Sequence, residues 1–202
     1  MNSARVKICG ITRAEDALAA ARAGAAAIGL VFAEGSSRQV SIEQAESICR
    51  DLPPWLGVVG LFMDHSADYV HHAMRAVPMN WLQFHGAEDE AFCQSFARPY
   101  IKAIPMLDDR PDWSRFASAS AVLLDAHAPG QPGGSGSVFD WTSLTPPARP
   151  WILAGGLNVD NVVSAVAQLQ PPALDVSSGV ESSPGIKDEQ LMRTFIQVVQ
   201  HG

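Results

Sequence analysis

Two residues far apart along the chain attract attention as a potential acid–base pair: Cys9 in "VKICGIT" (6–12) and Asp125 in "AVLLD" (121–125). Each ends a short apolar run that reads as a β-strand. Side chains alternate along a strand, so Arg5, Lys7 and Cys9 share one face and Val6 and Ile8 the other. If the apolar pair faces a surrounding layer, the thiol points inward, with Lys7 two residues before it. The same alternation puts Val122 and Leu124 outside and Ala121, Leu123 and Asp125 inside. A lone cysteine is more often a small buried hydrophobe, and an aspartate at a strand end often caps a loop. A thiol and a carboxyl facing one another across a cavity suit paired proton transfers.

A second group of residues suits an anion. "LAGGLNVDNV" (153–162) and "DVSSGVE" (175–181) are strands that run into glycine turns, where backbone N–H groups and a helix N-terminus hold a phosphate without a lysine. Gly155, Gly156, Ser178 and Gly179 are the candidate donors. Arg38 in "SSRQV" (36–40) offers a planar fork for a carboxylate, against the alternative of a solvated loop arginine. "QFHG" (83–86) brings Gln83 and His85 to one strand face, with His85 a substrate-binding candidate. His71 and His72 lie on a helical pattern with no clustered partner, which gives a metal site little support.

Eight apolar runs must position these groups: 5–9, 27–32, 57–62, 80–85, 100–104, 121–125, 151–155 and 174–178. Amphipathic stretches at 13–24, 41–52, 66–77, 87–97, 158–169 and 187–200 separate most of them, several opening on an N-cap with an acidic first turn, as in Thr12 with Glu15 and Ser41 with Glu43. Alternating strands and helices imply a parallel sheet. Eight units in 202 residues, about 25 each, favour a closed (β/α)8 TIM barrel over an open doubly wound sheet, and no GxGxxG follows the first strand. The expectation is a single compact domain, 1–202. Segment 105–120 is too short and too rich in Pro and Asp for a full fifth helix, which is expected to be degenerate. Segment 127–150 is expected to hold a mobile loop, with a short helix around "FDWTSL".

Composition narrows the partners. A net charge of −7 with 47% hydrophobic and 17% charged residues is ordinary for a soluble globular chain and poor for nucleic acid or anionic membrane. Three cysteines without CxxC spacing argue against a disulfide framework or structural zinc and for a reducing compartment. The N-terminus has no basic and apolar leader pattern, and no apolar run approaches the ~20 residues of a membrane span. A cytoplasmic protein is expected, monomer or homodimer, with a small phosphorylated substrate.

These pieces together resemble the phosphoribosylanthranilate isomerase family: "KICGIT", "GLVF", "SSRQV", "VGLF", "LQFHG", "LLDA", "GGSGSVFDW", "LAGGLNVDNV" and "DVSSGVESSPGIKD" occur in the family's order along the whole chain. The resemblance implies an Amadori rearrangement in tryptophan biosynthesis, with Cys9 as general base, Asp125 as general acid, Arg38 on the anthranilate carboxylate and the last two loops on the ribose phosphate. It implies no metal, nicotinamide or pyridoxal cofactor. The family usually has Ser-Pro-Arg where this chain has Ser36-Ser37-Arg38; without proline the loop is less pre-set, so nothing local dictates Arg38's order. Such chemistry needs a partly ionised thiol and a partly protonated carboxyl, the reverse of their ordinary populations. Lys7 is expected to lower the thiol pKa, and an apolar mouth to raise that of the acid. Ring closure makes the first and last strands neighbours, so Lys7 and Asp175 are expected to pair inside the barrel and, with Arg38 and His85, to bind the substrate.

Two other readings fit parts of the pattern. A histidine-pathway aldose–ketose isomerase is expected to use two aspartates, whereas this first strand ends in cysteine. A non-catalytic barrel that binds a phosphorylated aromatic amine would need the phosphate turns but not Asp125.

Overall fold

A computed structural model of the chain describes residues 4–106, 112–125, 144 and 146–201. Eight strands close on themselves in chain order: β1 (Arg5–Cys9), β2 (Ala27–Val31), β3 (Gly57–Phe62), β4 (Trp81–Phe84), β5 (Tyr100–Pro105), β6 (Ala121–Asp125), β7 (Trp151–Ala154) and β8 (Ala173–Val176). All pairings are parallel, and β1 is bonded to both β2 and β8, which completes the ring. The expected (β/α)8 barrel is the observed fold.

Alternation along the strands builds two cores. Val6, Ile8, Val122 and Leu124 face outward and join the large apolar layer beneath the helices. Inside the ring Val59, Ile101, Ala103, Leu123, Ile152 and Ala154 pack as a second cluster. The outer layer carries an aromatic row, with Phe32 stacked on Phe62 at 5.0 Å and Phe62 beside Phe84 at 6.3 Å, which locks neighbouring strands in register.

The helices are shorter than their sequence patterns. They are α1 (Ala14–Ala23), α2 (Ile42–Cys49), α3 (Ala67–Ala76), α4 (Glu90–Gln94), α5 (Val162–Leu169) and α6 (Glu189–His201). Among the described residues between β5 and β6 stands a 3-10 turn, Ser114–Phe116. Ser41 caps α2 by accepting from the Gln44 N–H, as its pattern predicts. Thr12 does not cap α1. Its hydroxyl donates instead to the Gly185 carbonyl at 2.5 Å, a tertiary contact that outcompetes the local one. The short helix expected around "FDWTSL" and the mobile loop expected in 127–150 fall outside the described residues, apart from Leu144 and 146–150.

One element has no counterpart in the sequence reading. After β8 the chain forms a small antiparallel hairpin, β9 (Glu181–Ser183) and β10 (Ile186–Lys187), before α6 begins. The Lys187 N–H donates to Asp16 on α1, and Gly185, at φ +79°, lies so close to the Ser37 carbonyl that a Cβ there would stand 2.9 Å from it. The hairpin is thereby tied to the loops that follow β1 and β2.

Candidate active site

The carboxyl ends of β1, β8 and β2 carry a dense charged cluster. Lys7 Nζ donates to Asp175 Oδ1 at 2.8 Å, with both side chains almost wholly buried, so the pair expected from ring closure is present. Cys9 sits one pleat above Lys7, 7% exposed, in an inner group with Val31, Ala33 and Leu61. Its neighbour across the sheet is Gly29. A Cβ on Gly29 would lie 3.0 Å from Cys9 Sγ and 3.1 Å from Lys7 Nζ, so glycine leaves the room these two side chains occupy.

Burial pushes the Cys9 thiol pKa up and the Asp175 charge adds to the effect, while Lys7 and Lys187 pull down without prevailing. The expectation that Lys7 leaves the thiol with a lowered pKa is therefore corrected. Its influence has the expected sign, but desolvation is larger. Burial also opposes the Lys7 charge, yet Asp175 and Cys9 outweigh it and hold the ammonium above its ordinary value.

Arg38 reaches over the end of β1. Gly10, at φ +76°, admits the arginine stem, because a Cβ there would collide with Arg38 Cδ. Glu181 on β9 then grips the guanidinium with two parallel bonds, Nε to Oε1 at 2.8 Å and Nη2 to Oε2 at 2.7 Å. Lys187 Nζ, fully buried, meets the same carboxylate at 2.6 Å and also donates to the Ser177 carbonyl. Burial works against the Glu181 charge, but these two cations outweigh it and leave its pKa below the usual carboxylate range. For Lys187 burial is the larger influence, and its pKa falls. The missing proline in the Arg38 loop is thus made good by a tertiary ion pair, helped by Ser36 Oγ, which accepts from the Arg38 N–H. Sequence reasoning missed Glu181 and Lys187. Their only signal is that two charged residues flank a Ser-Ser-Pro-Gly turn.

The opposite rim is built from β4 and β6. Asp125 ends β6 and pairs with His85, Nε2 to Oδ2 at 3.1 Å. Gln83, wholly buried on the inner face of β4, lies 3.3 Å from His85 Nδ1, and its Oε1 has no partner among the described residues. Nδ1 accepts from the Gln83 side-chain N–H, so the ring presents Nε2–H to the Asp125 carboxylate. Asp125 and His85 are 18% and 31% exposed in their side chains, so this rim is open to the mouth.

The glycine turns follow β7 and β8. Gly155 and Gly156 are consecutive left-handed residues, at φ 90° and 64°, and the Asn161 amide donates to the Gly156 carbonyl. Gly179 lies against the backbone of the neighbouring turn, where a Cβ would strike the Leu157 carbonyl oxygen. Ser178 stands between Asp175 and this contact, half-buried. The two turns therefore form one continuous rim above β7 and β8, next to α5. Cys49 and Cys93 are buried away from this mouth among helix residues, with thiols pushed up by burial to about 11 and about 12. No cluster of three metal-ligating side chains occurs among the described residues.

A closed parallel barrel carrying its polar groups at the carboxyl ends of the strands defines the class of (β/α)8 barrel enzymes. Within that class the chain belongs to the family described as N-(5'-phosphoribosyl)anthranilate (PRA) isomerase, whose sequence profile matches residues 6–198. The N-(5'-phosphoribosyl)anthranilate isomerase of Stutzerimonas stutzeri is 50% identical over 201 residues, covering 97% of each chain. The crystal structure of the phosphoribosyl anthranilate isomerase from Thermotoga maritima superposes with a TM-score of 0.89 at 40% identity, covering 97% of this chain and 98% of that one. A third relative, 36% identical with a TM-score of 0.82 over 97% of this chain and 98% of its own, is a phosphoribosyl anthranilate isomerase in complex with reduced 1-(o-carboxyphenylamino)-1-deoxyribulose 5-phosphate.

Proposed function

We propose that this chain is the isomerase that converts N-(5-phosphoribosyl)anthranilate to 1-(2-carboxyphenylamino)-1-deoxyribulose 5-phosphate in tryptophan biosynthesis. The observation that carries the reading is the pairing of family membership over residues 6–198 with a thiol and a carboxyl on facing strands of one mouth. Asp125 protonates the furanose ring oxygen as the C1–O bond breaks, and the nitrogen lone pair forms the C=N bond of an iminium. Cys9, as thiolate, then takes the C2 proton, and its electron pair moves through C1 to nitrogen to give the enolamine. Ketonisation returns a proton from the C2 hydroxyl to Asp125 and places one on C1 from Cys9, so both groups regain their starting states.

The raised thiol pKa fits this order of events. The iminium brings a positive charge beside the thiol after ring opening, and that charge favours ionisation when C2 is to be deprotonated. Lys7, paired with Asp175, supports the same ionised form from below. Arg38 takes the substrate carboxylate, His85 orients Asp125 and the substrate, and Gly155, Gly156, Ser178 and Gly179 hold the phosphate through backbone and hydroxyl groups beside the α5 N-terminus. The chemistry asks nothing of a cofactor, since the substrate's own nitrogen is the electron sink. Every named group comes from one chain, so a monomer or a homodimer serves. No described helix is long and apolar enough to cross a membrane, and a cytoplasmic location suits buried, unpaired cysteines.

Turnover of phosphoribosylanthranilate by the purified chain, followed by loss of its fluorescence, tests the reading. Activity in the wild type that disappears in Cys9→Ala and in Asp125→Asn is expected. Tight binding without turnover would favour the non-catalytic barrel instead.

A further inference from the structure

A guanidinium has two edges that can each grip a carboxylate, Nε with Nη2 and Nη1 with Nη2. Glu181 occupies the first edge completely, at 2.8 and 2.7 Å. Nη1 has no hydrogen-bond partner among the described residues, and the arginine side chain keeps 20% exposure while Glu181 keeps 5%. Arg38 is thus fixed by one edge and open at the other. A carboxylate arriving at the open edge would ordinarily be repelled by Glu181 only a few ångströms away. Lys187 removes that objection, because its fully buried ammonium meets the Glu181 carboxylate at 2.6 Å. Counting the cluster around Cys9, three cations (Lys7, Arg38, Lys187) face two carboxylates (Asp175, Glu181), so one positive charge is left over while the thiol is neutral.

We propose that Glu181 is a positioning residue for substrate recognition: backed by Lys187, it holds Arg38 so that the Nη1–Nη2 edge faces the substrate's aromatic carboxylate, which then balances the cluster's spare charge. This rests on the isomerase reading for the identity of the substrate, but not for its geometry. The hairpin β9–β10, whose two strands supply Glu181 and Lys187, is in this light the carboxylate-sensing part of the site. Thr12 and Ser37 meet its Gly185 turn, which ties that part to the loops after β1 and β2.

The test compares two ligands in the full chain by calorimetry: reduced 1-(o-carboxyphenylamino)-1-deoxyribulose 5-phosphate, which carries the carboxylate, and ribose 5-phosphate, which lacks it. Glu181→Gln is expected to weaken the first about tenfold and to leave the second unchanged. In turnover assays the same variant should raise KM with kcat held within about threefold. Combined with Arg38→Ala, it should add no further loss, since its effect passes through the arginine. Lys187→Met should also weaken the carboxylate ligand selectively. Equal losses for both ligands, additivity with Arg38→Ala, or tighter binding in Glu181→Gln would each overturn the proposal, the last by making Glu181 a competitor. Should Glu181→Gln fail to fold, Glu181→Asp keeps the charge but is too short to span both nitrogens, and the same ligand selectivity is expected of it. Selective weakening in a chain that never turns over phosphoribosylanthranilate would uphold the proposal while defeating the isomerase reading.

Discussion

The two sides of the barrel mouth are built on different principles. On the side of β8, β1 and β2, adjacent strands and the β9–β10 hairpin bring five charged groups around a thiol, nearly all of them buried and each paired. On the side of β4 and β6, strands separated by β5 bring together Gln83, His85 and Asp125, in a site with more solvent access. Cys9 lies in a dry setting that, with Asp175, opposes its anion, beside Lys7 and Lys187, which favour it. Asp125 stands where water and the His85 imidazole can reach it. The first side is dry and ion-paired throughout, and the second is wetter.

Removing the reacting atom on either side should be the most damaging change. Cys9→Ala and Asp125→Asn are each expected to lower kcat/KM by ~10²–10⁴, the range for a lost general base or acid. Phosphate-ligand affinity should change little, which steady-state inhibition by ribose 5-phosphate checks. A Cys9→Ala variant of full activity would break the comparison at its root.

The next largest difference is expected in stability. Lys7→Met leaves the buried Asp175 carboxylate without its partner, a change that typically costs about 3–5 kcal/mol, measurable by urea denaturation. His85→Ala on the wetter side should cost far less, about 1 kcal/mol, because solvent can take over its bonds. Equal losses would mean that the two sides do not differ in dryness as described.

That contrast also explains what the sequence could reveal. Strand order, barrel closure, the inward aim of Cys9 and Asp125 and the Lys7–Asp175 pair all follow from alternation and ring closure, which are local rules plus one topological one. The Arg38–Glu181–Lys187 cluster does not, because Arg38 lies 143 residues from Glu181 along the chain and meets it through a hairpin only two or three residues deep. Gly29 was equally silent: a glycine in a strand is legible, but what its missing side chain makes room for is not. Thr12 misled for a related reason, since a capping pattern cannot announce that a distant carbonyl will claim the hydroxyl. The direction of the Cys9 shift depended on a balance between burial and Lys7 that only the packed neighbourhood decides.

The balance at Cys9 can be measured directly. The pH profile of its alkylation by iodoacetamide should have a midpoint above the ~8.5 of an ordinary thiol, because burial is the largest influence and favours the neutral form. Lys187→Met removes a cation that favours the thiolate, so it should move the midpoint further up. A midpoint below neutrality in the wild type would mean that the fixed charges prevail over burial, and the two sides of the mouth would then need a different account.

The smallest expected effect concerns acid stability. Burial raises the Glu181 pKa, but Arg38 and Lys187 outweigh it, so the folded value lies below the unfolded one of about 4.3. A group depressed on folding contributes fully above its unfolded pKa and loses that contribution as pH falls through the folded value. Stability followed by denaturant midpoint should therefore decline below about pH 4 in the wild type, partly on account of this residue. Glu181→Gln, which has no proton to take up, should start from a lower plateau at neutral pH and fall less steeply on the acid side. If Glu181→Gln were to keep the full slope instead, its carboxylate would not be held by the two cations, and the dry side of the mouth would owe its order to packing alone.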